Sequence, residues 1–440
     1  MTFRISHMCL LLGGFVAGIA LTSTGSGGFV FVVGRDVLDV SYLDPAAGAT
    51  LAAVVAVLVT VLVRARRGLS ALSFAGLALL GAARSTGPWD VDMYLGGVAA
   101  GLLLGGLVGL CATADRAWLQ TALATGVLAG VLLGGPIEHL RTSLPRRYAD
   151  YLPGPTVDAA ALAVLALTAV VLAVALRSGD FGERADLAVS RRAVVAGIVV
   201  PLVGLVLCWW FVHRAWDVGS GGEMRGRWVF GIVLVAVVIA AALWLEDRTG
   251  IVLLAAMALV ATGGIGRSVF PDSWPWLLVP AALALAGTVL GRRFPRPVLG
   301  IAALAMVAAS AVFEHPPWDN LHLGAMWLLL PLAATYTFAS SLPSSGPVTW
   351  AWTSTGVSVA AVVACGLTAA YLGRRRDRPI CRMHTLCTMH RVCMVHKLRS
   401  ATSRRFVWTV RRPSSARAAS SPCWHSPASS PHSCRPSWCR

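Results

Sequence analysis

A chain of 440 residues is long enough for two or three soluble domains, but 56% of it is hydrophobic, only 13% is charged, and its mean hydropathy is +0.70. Uncharged stretches of about 15–25 residues recur along most of it, the size needed to cross roughly 30 Å of hydrocarbon, which excludes a water-soluble fold. The net charge of +17 does not point to nucleic acid either: up to Gly373, 22 arginines face 19 acids, while the last 67 residues hold 15 Lys or Arg against Asp377 alone.

Inside lipid every backbone N–H and C=O must find its partner within the chain, so these stretches predict helices. The expected fold is all-α, a polytopic transmembrane bundle of 12–13 spans. The spans fall at 9–33, 45–63, 69–83, 94–113, 119–135, 158–176, 193–212, 229–245, 251–265, 276–290, 298–313, 321–339 and 348–372. The first lacks a small-residue cleavage site and reads as a retained helix rather than a signal peptide. The third barely reaches across a bilayer.

Positive charge is held on the cytoplasmic side, and the Arg-rich connections 64–68, 177–192 and 291–297 fall on one side if the N-terminus is inside. The inner set up to the twelfth span then carries 13 arginines against 9 outside. A thirteenth span would put the basic run 373–378 on the wrong side, so the count stays open between 12 and 13. The expected location is the inner (plasma) membrane, multi-pass, with a cytoplasmic N-terminus.

Three Trp-Asp pairs, Trp89-Asp90, Trp216-Asp217 and Trp318-Asp319, then fall in outer loops, each ahead of a helix returning inward. Trp prefers the headgroup level, and Asp there is expected to cap the helix that follows. Asp92, Glu314, His315 and His322 gather near two of the pairs. With Asp90 and Asp319 they form a candidate outer-face polar cluster.

The first span contains Thr22, Ser23, Thr24, Gly25, Ser26 and Gly27. Small and hydroxyl residues in that number either let two helices approach closely or interrupt a helix so that its backbone can hold substrate. They are the candidate substrate-binding residues. No acid or base stands near the middle of any span, which is where a proton relay would need one.

The outer loops 34–44, with Asp36, Asp39 and Asp44, and 136–157, with Glu138, His139 and Arg141, carry most of the other polar groups. An outward acid soon after the first helix resembles polytopic glycosyltransferases that use lipid-linked sugars. That likeness implies a carboxylate acting toward an acceptor hydroxyl. A loop of about a dozen residues is too short to enclose such a site.

Residues 374–440 hold many Ser, Pro, Arg, Cys, Trp and His and no apolar periodicity. They read either as a basic disordered tail or as a GC-rich gene translated out of frame. Within them Cys381, His384, Cys387, His390, Cys393 and His396 recur at steps of three. Zinc frameworks instead pair two close ligands, then a long loop, then two more, so no metal is expected. Nothing in the chain calls for a cofactor.

Two inner turns share a shape: Ala65-Arg66-Arg67-Gly68 between the second and third spans, and Asp247-Arg248-Thr249-Gly250 between the eighth and ninth. At these residues the chain resembles the major facilitator superfamily, whose signature loop has a DRxG core repeated half the protein later. The resemblance implies two six-helix halves, 1–176 and 193–373, joined by a cytoplasmic linker at 177–192. In it Arg66, Gly68, Asp247, Arg248 and Gly250 serve as inner gating turns. The first copy lacks the acid.

The runs "GGFVAGIALTSTGSGGFVFV" and "ARSTGPWDVDMYLGGVAAG" resemble uncharacterised conserved membrane proteins of mycobacteria and related actinobacteria, which implies a location but no activity. The expectation is a transporter-like permease for an unknown small-molecule or lipid substrate, more a carrier than an enzyme. Its partner is the lipid bilayer and not nucleic acid; the oligomeric state is left open. The alternatives are a membrane-embedded glycosyltransferase-like transferase with an outer-face acidic site and a non-catalytic envelope scaffold.

Overall fold

Apolar segments with no charge to solvate form helices whose ends fall where Arg, Asp, Pro and Gly return. The computed structural model describes residues 4–23, 35–85, 91–112, 117–142, 159–181, 190–218, 228–245, 248–263, 274–313 and 317–342. The chain divides into two compact units, 1–376 and 377–440, and every described residue belongs to the first. No strand occurs among the described residues.

The helices in chain order are α1 (Ile5–Ser23), α2 (Arg35–Leu62), α3 (Arg66–Ser85), α4 (Val91–Cys111), α5 (Ala117–Thr142) and α6 (Ala159–Arg177). They continue with α7 (Arg191–Val218), α8 (Trp228–Trp244), α9 (Arg248–Ala261), α10 (Leu278–Arg293), α11 (Pro297–Ala309) and α12 (Asp319–Ser341). In α12 a π-helical turn at Ala325–Leu329 joins two α-helical pieces. Seven of these helices, α1, α4, α5, α6, α7, α10 and α12, are long and apolar enough to cross a membrane, and α2, α8, α9 and α11 contain shorter apolar helices. The expected span 348–372 and the Cys/His run lie outside the described residues.

Direction follows from close backbone approaches. Gly97, Gly101 and Gly105 of α4 lie against Gly48, Ala52 and Ala56 of α2, and a Cβ on Gly101 would come 2.6 Å from the Ala52 carbonyl oxygen. Partners that both advance by four residues mean parallel helices. Gly126, Gly130 and Gly134 of α5 meet Leu11, Phe15 and Thr22 of α1 in the same sense, and Gly287 and Gly291 of α10 meet Leu332 and Tyr336 of α12. Small residues at such seams allow the van der Waals contact that holds helices together where lipid removes any hydrophobic drive.

The weak third span is settled by this packing. Arg66, Arg67 and Arg84 lie within α3, and it is not among the seven. Yet Gly76 of α3 meets Ala99 and Leu103 of α4, while Gly106 of α4 meets Leu69 and Ser73 of α3. The register runs backwards, so α3 lies antiparallel along α4. With α2 and α4 parallel, α3 makes the return crossing between them.

Burial separates inner from outer helices. In α5, 78% of the span is buried, against 22% in α6. The outward stripe of α6 is Val164, Leu167, Val170 and Val174, and that of α8 includes Ile232, Val235, Ile239 and Leu243. Stripes this apolar would aggregate in water and match acyl chains instead. The chain is a multi-pass membrane protein.

Several boundaries differ from the sequence reading. The first outer loop is helical from Arg35, so Asp36, Asp39 and Asp44 lie within α2; of the three only Asp36 is in the first turn, where an acid favours the positive end of the helix dipole. Likewise α5 runs to Thr142 and takes up Glu138, His139 and Arg141. Trp216 and Asp217 end α7 rather than preceding the returning helix. At the third pair the cap position belongs to Trp318, which makes no side-chain capping bond, and Asp319 is the first helical residue. Its Oδ1 accepts the Asn320 N–H at 3.1 Å.

Candidate functional site

The first six helices and the later ones meet at α2 against α7 and at α5 against α10 and α12. The second of these seams is polar. On α5, Trp118, Thr121 and Thr125 share one face by their spacing of three and four. The Thr125 and Thr288 hydroxyls lie 2.9 Å apart, both buried. One turn nearer the end of α10, the Arg292 Nη1 donates to Thr121 Oγ1 at 3.4 Å, and its guanidinium lies 4.4 Å from the Trp118 ring centroid. A cation over indole contributes about 0.5–2 kcal/mol, more as water is excluded.

Proton counting gives this seam its character. Thr125 Oγ1 is 2.8 Å from the Thr121 carbonyl oxygen, and Thr288 Oγ1 is 2.9 Å from that of Ala284. Two hydroxyl hydrogens thus serve three acceptor contacts, so only two of the three can be made at once. When α5 and α10 part, the Thr125 and Thr288 hydroxyls each fall back on their own helix and that pair loses no hydrogen bond. Exchanging both threonines for valine in a double-mutant cycle should therefore show a coupling of no more than about 0.6 kcal/mol, measured by unfolding in bicelles.

The third wall is α12. Thr335, Thr337, Ser340 and Ser341 are buried there and bond back to their own helix, Thr335 to Pro331 at 2.8 Å and Ser341 to Thr337 at 2.6 Å. Thr335 faces Gly287 of α10. Beside Thr121, the buried Gln120 Oε1 has no hydrogen-bond partner in the protein.

At the far end of α12, Ser310 donates to the Val307 carbonyl at 2.6 Å, which leaves its oxygen to accept from His322 Nδ1 at 2.9 Å. In that arrangement the hydrogen lies on Nδ1 of His322, itself buried. The π turn follows directly, and π turns are frequent at functional positions. On it Trp327 packs edge-on to Trp276 at 5.3 Å, its indole nitrogen buried without a hydrogen-bond partner.

Of the outer-face cluster, Asp319 and His322 sit on the first turns of α12, and Asp92 lies on the first turn of α4; Asp90, Glu314 and His315 are outside the described residues. In the small-residue run only Thr22 and Ser23 are described, at the end of α1. The Thr22 hydroxyl bonds to the Ile19 carbonyl at 2.9 Å and meets Gly134 of α5.

Arg66 and Arg67 are exposed at the start of α3, and Gly68 faces the Val63 side chain. Arg248 begins α9, where Gly250 abuts the Ala242 carbonyl of α8; Asp247 is outside the described residues. Arg292, placed in an inner loop by its arginine-rich surroundings, belongs to α10 and is half-buried. The threonines of the seam looked like ordinary span residues. Only the spacing of three and four from Trp118 through Thr121 to Thr125 could have marked the pair on α5.

No protein-family model matches the chain, and no curated protein matches it. Among solved structures it is similar to one described as an auto-inhibited POT family peptide transporter, at 11% identity, over 93% of this chain and 98% of that one, with a TM-score of 0.43. That likeness is too loose to carry residue correspondences. The comparisons place the chain in no family, and the likeness to actinobacterial membrane proteins has no match behind it.

Proposed function

We propose that the chain is a transporter-like permease of the inner membrane, N-terminus in the cytoplasm, moving a small-molecule or lipid substrate of unknown identity. The carrying observation is the α5–α10 seam, where three hydroxyl contacts share two hydrogens. Seams such as α2–α4 are locked by backbone approach at glycine; here the Thr125 and Thr288 hydroxyls can part without losing a bond, and the 3.4 Å bond from Arg292 to Thr121 is given up on opening. A path that opens and closes needs both kinds of contact.

On this reading the halves 1–176 and 193–373 rock about the seam, and the linker 177–192 lets them. Arg66 and Gly68, with Asp247, Arg248 and Gly250, shape the inner turns that move. By their sequence pattern Thr22 to Gly27 remain the candidate substrate-binding residues, and Asp90, Asp92, Glu314, His315, Asp319 and His322 the candidate outer-face cluster. Such two-bundle carriers bind substrate near the midplane between repeats.

Spin labels at Arg66 and Arg296, exposed positions on either side of the seam, test the motion in nanodiscs by pulsed dipolar spectroscopy. The expected result is two distance populations whose ratio shifts between detergent and lipid. A single narrow distance under every condition would remove the transporter reading and favour the scaffold.

A further inference from the structure

The turn from α10 to α11 gathers more recognition chemistry than a topology signal requires. Arg293 and Arg296 are exposed, and Arg292 is half-buried beside them, fixed against Trp118 and Thr121 of α5. The turn itself is tight, with the Arg296 N–H donating to the Phe294 carbonyl at 2.8 Å. From α12 the Tyr336 hydroxyl donates to the same carbonyl at 2.9 Å. Phe294 stands 55% exposed among the arginines, and apolar Val289 and Val298 are exposed on the adjoining helices.

We propose that this corner binds the phosphate headgroup of an anionic membrane lipid through Arg292, Arg293 and Arg296, with Phe294 and the outward faces of α10 and α11 against its acyl chains. Guanidinium groups match phosphate oxygens bidentately and keep their charge at a membrane surface. Trp118 and Tyr336 supply the amphipathic rings that settle at headgroup depth. The source of the phosphate is a lipid and not a soluble ion because the cationic corner is continuous with exposed apolar surface, which a soluble anion cannot use. The inference requires a bilayer protein but not a transporter.

The control is built into the chain. The α2–α3 turn carries Arg64, Arg66 and Arg67, all exposed, with equal charge. Native mass spectrometry of the full chain in mild detergent, titrated with phosphatidylglycerol or with phosphatidylcholine of the same acyl chains, reads the site directly. One phosphatidylglycerol should be retained in preference, and R293Q/R296Q should weaken it by about fivefold for each guanidinium removed, while R66Q/R67Q leaves it intact. Both arginines are exposed, so the double variant should elute and fold as the parent; R292K tests the half-buried position with its charge kept.

Equal retention of the two lipids, or equal losses in the two variants, would mean diffuse attraction and overturn the site. Displacement of the lipid by millimolar inorganic phosphate would show that the corner reads a soluble anion, and would overturn it too. None of these outcomes bears on the distance test of the seam, so the two ideas fail separately.

Discussion

Gly101→Leu in α4 is expected to abolish most of the folded protein, whereas Gly231→Leu in α8 is expected to leave it unchanged. The substitutions are chemically identical and both lie in apolar helices. A Cβ at Gly101 would stand 2.6 Å from the Ala52 carbonyl oxygen and 2.9 Å from the Val55 Cβ, while one at Gly231 meets nothing within 4 Å. Ala52 offers backbone and not a flexible side-chain tip, so the clash can be relieved only by moving α2 away from α4. Overpacking of this kind costs about 1–3 kcal/mol where side chains can yield, and more where they cannot. Parting the two helices would also loosen the neighbouring approaches at Gly97 and Gly105. The measurement is the fluorescent size-exclusion profile and apparent melting temperature in mild detergent. If Gly101→Leu kept both, the α2–α4 seam would not be as close as described.

The second large effect is expected at the polar seam. Cysteines replacing Thr125 and Thr288, in a chain otherwise freed of cysteine, should cross-link under mild oxidation. The hydroxyls they replace are 2.9 Å apart, and neither is held there by a bond that cannot be exchanged. All ten native cysteines, the buried Cys9, Cys111 and Cys208 among them, must be replaced first, so that the only thiols are those at the seam and the labelled pair. Protease cleavage between α6 and α7 followed by non-reducing electrophoresis reports the link. In the spin-labelled protein, cross-linking should collapse the two distances between positions 66 and 296 into one, and a reductant should restore both. A cross-linked protein that kept both populations would place the moving surface elsewhere, with α2–α7 the next candidate. Failure to cross-link at all would contradict the contact itself.

The asymmetry between these two seams explains why some of the molecule was legible in the chain and some was not. Every helix from α1 to α12 overlaps a span read from hydropathy, because apolar length is a one-dimensional property. Errors concentrated at the ends. Asp36, Asp39 and Asp44 suggested a loop, yet a helix that has left the hydrocarbon can continue in water, and an acid in its first turn, as Asp36 is, favours it. Arg292 misled in the opposite direction: arginine signals an inner loop, but its long side chain can leave a helix end and lie against Trp118 of another. The Trp-Asp pairs split for the same reason, since a residue pair does not record on which side of a helix end it sits.

The candidate sites fared according to how far they depended on contact. Thr22 is readable either as packing or as substrate contact, and only the tertiary structure shows that it stands against Gly134 of α5. His322 was picked out for its company of acids, whereas its described bond is to Ser310, one helix earlier. Thr121, Thr125 and Thr288 drew no attention because a threonine in a span is ordinary until another stands opposite it.

Composition and hydropathy by themselves determined that the chain is an all-helical membrane protein, because the bilayer demands apolar length and internal hydrogen bonding of any segment that crosses it. Only the tertiary structure decided that α3 crosses, which glycines hold helices together and that α5 and α10 meet through exchangeable hydroxyls. Those facts depend on which faces of distant helices meet. In a chain apolar on nearly every face, the periodicity of any one helix does not say which face that will be.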